Sequence, residues 1–129
     1  MTQDRATGAA ANEWGRATAR KIALEIGAIM KTRMSNEAIL DGKTVVIKCA
    51  APKTDSVGVT LNMLDHLDAI IGAFQLDDGS FELWTLSPAR FREEMRDTRS
   101  RGAAAGKVAI VRKRTFERGG RLLTRVRFE

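Results

Sequence analysis

Residues 36–50, NEAILDGKTVVIKCA, set one acid and one lysine into an otherwise apolar stretch on either side of Asp41-Gly42-Lys43. Asp-Gly between two alternating runs signals a two-residue hairpin turn. Both central residues of that turn take positive φ, which glycine accepts freely and aspartate tolerates. The turn sets the register: Leu40 faces Lys43, Ile39 faces Thr44, Ala38 faces Val45 and Glu37 faces Val46. One face then carries Ala38, Leu40, Val45, Ile47 and Cys49 and must meet the core. The other carries Glu37, Ile39, Thr44, Val46 and Lys48, and there Glu37 and Lys48 are diagonal neighbours about 7–8 Å apart at the backbone. An acid and an ammonium group so placed form either part of a polar site or a surface ion pair.

Four further residues bear on that choice. Glu25 lies three residues after Ile22 and four before Ile29, on the inward side of a helical stripe or at its edge, as a boundary residue or as a group aimed into a shared polar site. Asp68 opens the apolar run AIIGAF, where a carboxylate either caps the strand entry or faces a site at the sheet's end. His66 is the only histidine, so neither a histidine-based metal cluster nor a triad drawing on further histidines is available, and it reads as a surface residue. Cys49 reads as core packing, since its apolar face offers none of the cationic surroundings that a reactive thiolate needs. Neither GxGxxG nor GxxxxGK[ST] occurs, which argues against a dinucleotide or P-loop enzyme.

Charge is distributed unevenly. The net charge is +6, but residues 1–86 hold 9 Lys/Arg against 11 Asp/Glu while residues 87–129 hold 13 against 5. A basic C-terminal third points to an anionic partner, most often nucleic acid, or to a solvated basic surface. If Gly119-Gly120 turns a final hairpin of strands 107–116 and 121–128, Arg114 faces Arg125 and Arg112 faces Arg127 on one face. Like charges directly opposite are destabilising. Such a ladder makes sense under phosphate, whose oxygens the planar guanidinium binds in pairs, or as a solvent-facing ribbon or a surface for an acidic protein.

These residues must be positioned by a small scaffold. A chain of 129 residues, 43% hydrophobic, suits one domain, with residues 1–11 expected to be flexible. A helix is expected from Asn12 to about Met34, with Trp14, Ile22, Ile26 and Ile29 near one stripe. The hairpin follows, then a short strand 56–60, a brief helical or looped stretch LNMLDHLD, and a strand AIIGAFQL that turns at Asp78-Gly79 into SFELWTL. Ser87-Pro88 reads as an N-cap and first helical residue, starting a helix that Gly102 closes. Helices separated by runs of strands give an α+β, mixed α/β class: a largely antiparallel or mixed sheet covered by the long first helix. A single cysteine, no apolar run near the roughly 18 residues of a membrane span and no secretory pattern lead to the expectation of a soluble cytoplasmic protein. A homodimer joined through an apolar sheet edge is a further expectation.

ALEIGAIMK with Glu25, SNEAIL with Glu37 and VVIKCA with Lys48 together resemble the core of the restriction-endonuclease-like, PD-(D/E)XK nuclease superfamily. The resemblance covers roughly residues 20–90. It implies nucleic acid as partner, DNA ahead of RNA, and a Mg²⁺-dependent phosphodiesterase with Glu25 and Glu37 as metal ligands and Lys48 beside the attacking water. One departure stands out: position 46 is Val, where the superfamily's motif has an acid two residues before the lysine. Two consequences are compatible with it. Either Glu25 or Asp68 supplies the missing ligand, or the chain binds nucleic acid without cutting it.

Overall fold

The computed structural model describes residues 5–32, 35–97 and 108–128. Its first element is a helix, α1 (Arg5–Ile26), which starts seven residues before the expected Asn12 and ends at Gly27. The Ala28 amide donates to the Ala23 carbonyl at 2.8 Å and Gly27 has φ +79°, the six-to-one closure of a glycine-terminated helix. The chain then forms β1 (Ile29–Met30), β2 (Glu37–Leu40) and β3 (Lys43–Ala50). Between β2 and β3, Asp41 and Gly42 have φ +52° and +78°. The register is the one the turn dictates, with Glu37 opposite Val46 and Leu40 opposite Lys43.

The chain leaves this edge through β4 (Ser56–Thr60) and the single turn α2 (Leu61–Leu64), then returns as β5 (Ala69–Gln75), parallel to β3, and reverses into β6 (Phe81–Leu86). Ser87 caps α3 (Pro88–Glu94) by accepting a hydrogen bond from the Arg90 amide at 3.1 Å. The helix is shorter than expected because Arg96–Asp97, β7, turns extended and pairs with β8 (Val108–Arg112). The observed class is α+β, as expected: a six-stranded mixed sheet in the order β1-β2-β3-β5-β6-β9 and a three-stranded sheet in the order β4-β8-β7. Here β9 is Arg121–Val126.

The predicted C-terminal hairpin does not form. β8 pairs with β4 and β7, β9 pairs with β6, and Lys113–Gly119 between them is a helix, α4. The segment KRTFERG has one apolar anchor, Phe116, and no alternation that would hold a strand. Phe116 is fully buried with its ring 5.4 Å from that of Phe74, edge-on.

Period-two alternation divides the core. Ala38, Val45, Ile47, Ile71, Ala73 and Leu83 face α1, meeting Ala19, Ile22 and Ala23. Val46, Ala50, Ile70, Phe74 and Leu86 face the second sheet, α3 and α4. On this second face Gly72 has no substitute, since a Cβ there would lie 2.7 Å from Phe74 and 3.0 Å from Phe116. Gly72→Ala is therefore expected to destabilise the fold by about 1–3 kcal/mol through overpacking, read as a lower midpoint in urea unfolding, whereas Gly15→Ala, where nothing lies within 4 Å, should not lower it.

Candidate functional site

Glu37 and Lys48 emerge from the same face of the six-stranded sheet, the face away from α1. They do not pair. The Glu37 carboxylate is held at 2.6 Å by His66 Nε2 from the loop before β5, and the Ser35 hydroxyl lies 3.4 Å from its other oxygen. Sequence spacing gives no hint of the Glu37–His66 contact, because the partners are 29 residues apart and are joined only by the crossover that lays β5 beside β3.

Lys48 has no hydrogen bond or ion pair among the described residues. Burial pushes its ammonium below the ordinary value of 10.5, against a smaller upward pull from Cys49. Burial pushes the neighbouring Cys49 thiol up to about 12, partly offset by the Lys48 charge. Cys49 is therefore a thiol, not a thiolate, near neutral pH, as its core-packing reading implied.

The other two expected ligands lie elsewhere. Glu25 is exposed on α1, across the sheet from Glu37, and lines a separate cavity of about 350 Å³ with Leu40, Asp41 and Thr124. Asp68 accepts a hydrogen bond from the Thr44 amide at 2.8 Å while its own amide donates to the Thr44 carbonyl at 2.8 Å. That reciprocal clasp extends the β3–β5 ladder by one pair, the strand-entry role. Mg²⁺ takes oxygen ligands in near-octahedral geometry, usually one or two carboxylates with several waters. Around Glu37 the described residues offer an imidazole and a hydroxyl, Val46 offers no oxygen, and no three of His, Cys, Asp and Glu are grouped for a metal among the described residues. The residues present do not fit the resident Mg²⁺ that the resemblance implies.

The four arginines of the expected ladder are dispersed, because their strands belong to different sheets. Arg125 binds the buried Glu82 at 2.7 Å, and Arg127 binds Asp78 at 2.6 Å. The Asp78 carboxyl is held down to about 2, first by the Ser80 hydroxyl, then by the Ser80 amide and by Arg127. Glu82, 9% exposed, also accepts from Lys113 at 2.9 Å and from the Trp84 indole at 3.4 Å. The Lys113 hydrogen bond is the main cause holding its carboxyl below the ordinary range, against burial. Arg112 and Arg114 remain exposed.

Two arginines that the ladder left out join them. Arg114 and Arg118 are four apart on α4, with Phe116 between them on the inward side, so both project outward. Arg121 opens β9 immediately after the helix. Arg112, Arg114, Arg118 and Arg121 are all exposed, and none has an ion pair among the described residues. Residues 112–121 carry five cations against one acid, Glu117. Compared with known proteins, the chain matches no family model and no curated sequence.

Two stability measurements follow. Lys48 is depressed in the folded state and ordinary when unfolded, so the native protein binds fewer protons and stability should rise as pH climbs from the depressed value toward 10.5. Lys48→Met should raise the melting temperature at neutral pH and flatten that rise. Glu82 has the same sign of linkage in a lower pH window: its contribution is present above the ordinary 4.5 and lost as pH falls through its lower folded value. Lys113→Met should cost about 1–3 kcal/mol at neutral pH, with a difference from the parent that narrows in acid, read by urea unfolding at several pH values.

Proposed function

We propose that the chain is a nucleic-acid-binding protein that grips the phosphate backbone with Arg112, Arg114, Arg118 and Arg121 and does not cut it. The observation that carries this reading is the exposed set of four arginines on one short helix and its two flanks, unpaired among the described residues. Arg114 and Arg118 repel one another at helical spacing, a cost that an anion lying over both would remove. Guanidinium groups match phosphate oxygens in a planar fork, and a cluster of them supplies the sequence-independent part of nucleic-acid affinity.

The scaffold adds support. A leading helix, an antiparallel pair bearing Glu37 and Lys48, a crossover and a parallel return strand agree with the element order of the restriction-endonuclease-like core. The non-cutting half of the proposal rests on the donor set: Val46 replaces the motif's acid, Asp68 clasps Thr44, and Glu25 lies across the sheet. No helix among the described residues is long and apolar enough to cross a membrane. A cytoplasmic setting, where nucleic acid is at hand, accords with this reading.

Fluorescence anisotropy with labelled single-stranded and duplex oligonucleotides tests both halves. Affinity should fall steeply between about 50 and 200 mM salt. An Arg112/Arg114/Arg118/Arg121 alanine variant should bind at least about tenfold more weakly, with a salt slope shallower by about one for each phosphate it no longer neutralises. Arg125→Ala should leave binding close to the parent and lower stability instead, since it uncovers Glu82. Undiminished affinity in the four-arginine variant would refute the surface. Oligonucleotide cleavage in Mg²⁺ that disappears in Glu37→Ala and Lys48→Ala would refute the absence of cutting.

A further inference from the structure

The arginine surface adjoins a second feature. Beside the outer part of β3, where the described β2 ladder has ended, lies a cleft of about 380 Å³, within the roughly 300–1,000 Å³ of small-molecule sites. Trp14 of α1 lines it together with Asn36, Lys48, Thr54 and Ser56. The Trp14 ring is 6.4 Å from that of Phe81, tilted by 32°, and the residue keeps 38% of its surface exposed. An indole anchored against a second ring and open to solvent is a stacking platform.

Among the described residues, nothing pairs with the polar groups of the cleft. The side chains of Asn36, Lys48, Thr54 and Ser56 have no hydrogen-bond or ion-pair partner among the described residues. Lys48 is half-buried and lines the cleft, and among the described residues no side-chain nitrogen or oxygen is both sealed from solvent and unpartnered. A partly desolvated ammonium without a counter-charge favours an anion. An amide such as Asn36 offers a donor and an acceptor together, the combination that the edge of a nucleobase presents.

Position ties the cleft to the arginines. Ser56 is the cross-strand partner of Arg112, so the two side chains stand on the same face of the second sheet. The Lys113 amide donates to the Asp55 carbonyl at 2.6 Å, holding the start of α4 against the same turn. Arg112, the first of the four arginines in the chain, therefore stands beside a residue of the cleft.

We propose that this cleft receives one nucleotide whose base is unpaired, with the phosphate at Lys48, the base against Trp14 and the base edge at Asn36. The inference rests on the nucleic-acid reading and adds the form bound: single-stranded or terminal nucleotides, because a base inside a duplex cannot present its face to an indole. Occupancy supplies a counter-charge that no described residue gives Lys48. Binding should therefore draw the ammonium's pKa back up and take up protons as pH rises.

Trp14 reports the event directly. The chain has two tryptophans, so Trp84→Phe leaves Trp14 as the sole emitter. Titration with dAMP should quench it saturably, while inorganic phosphate should displace dAMP only at higher concentration. Lys48→Met in the same background should weaken dAMP by about tenfold or more. It should also abolish a loss of affinity with rising pH that begins below the ordinary lysine range. Circular dichroism checks the fold, and if Lys48→Met does not fold, Asn36→Ala should weaken dAMP in its place.

Absence of saturable quenching by dAMP, or equal affinity in the parent and in Lys48→Met, overturns the cleft assignment. Oligonucleotide binding that persists in that case through the four arginines leaves the functional reading standing. The converse result, dAMP binding without oligonucleotide binding, overturns that reading and keeps the cleft.

Discussion

Alternation along β3 is the constraint on which the rest of the molecule depends. Val45 and Ile47 point into α1, Val46 and Lys48 toward the second sheet, and a slip of one residue would exchange the two sets. The two-residue turn at Asp41-Gly42 prevents that slip. Because each face is covered by different elements, polar groups on opposite faces stay apart across the covered sheet and approach one another only past its edge, as in the cleft beside the end of β3. This is why Glu37 finds His66, which arrives by the crossover on its own side, and why Glu25, carried by α1, lies with Leu40 and Asp41 instead.

Charge follows the same logic of separation. Glu82 lies on the face away from α1, where leaving it unpaired would be costly, and Lys113 and Arg125 reach it from two different elements. These two cations neutralise Glu82, and Arg127 is paired with Asp78 at the exposed turn. The cations that remain, Arg112, Arg114, Arg118 and Arg121, surround the outward side of α4, where Phe116 fixes the helix to the sheet and leaves the arginines in solvent. Structural and free positive charge are thus interleaved residue by residue within 112–127, and only partners in space distinguish them.

That interleaving explains what is legible in the sequence and what is not. Local turn chemistry is readable: the register set by Asp41-Gly42, the reversal at Asp78-Gly79, where Gly79 has φ +89°, and the Ser87-Pro88 helix start all depend on residues adjacent in the chain. The α+β class follows from the order of such segments. The C-terminal region escapes such reading because Lys113–Gly119 has weak local preferences, and its helix is decided by Phe116 packing on Phe74 above the bare backbone of Gly72, partners more than forty residues distant. The existence of a second sheet is hidden for the same reason, since β4 and β8 are 48 or more residues apart. Of the candidate site, Glu37 and Lys48 are placed on their true face by the turn, but His66 and the cleft wall formed by Trp14 arise only from tertiary packing.

The central claim is that the free arginines around α4, and not the neutralised ones on β9, meet the phosphate backbone. Its most direct test is an NMR titration of the ¹⁵N-labelled protein with a short oligonucleotide, following arginine side-chain Nε–H and backbone amide shifts. Concerted, saturable shifts are expected for Arg112, Arg114, Arg118 and Arg121, with Arg127 and the Asp78–Ser80 turn unmoved. Shifts confined to Arg125, Arg127 and that turn, or an unchanged spectrum at saturating oligonucleotide, would contradict it.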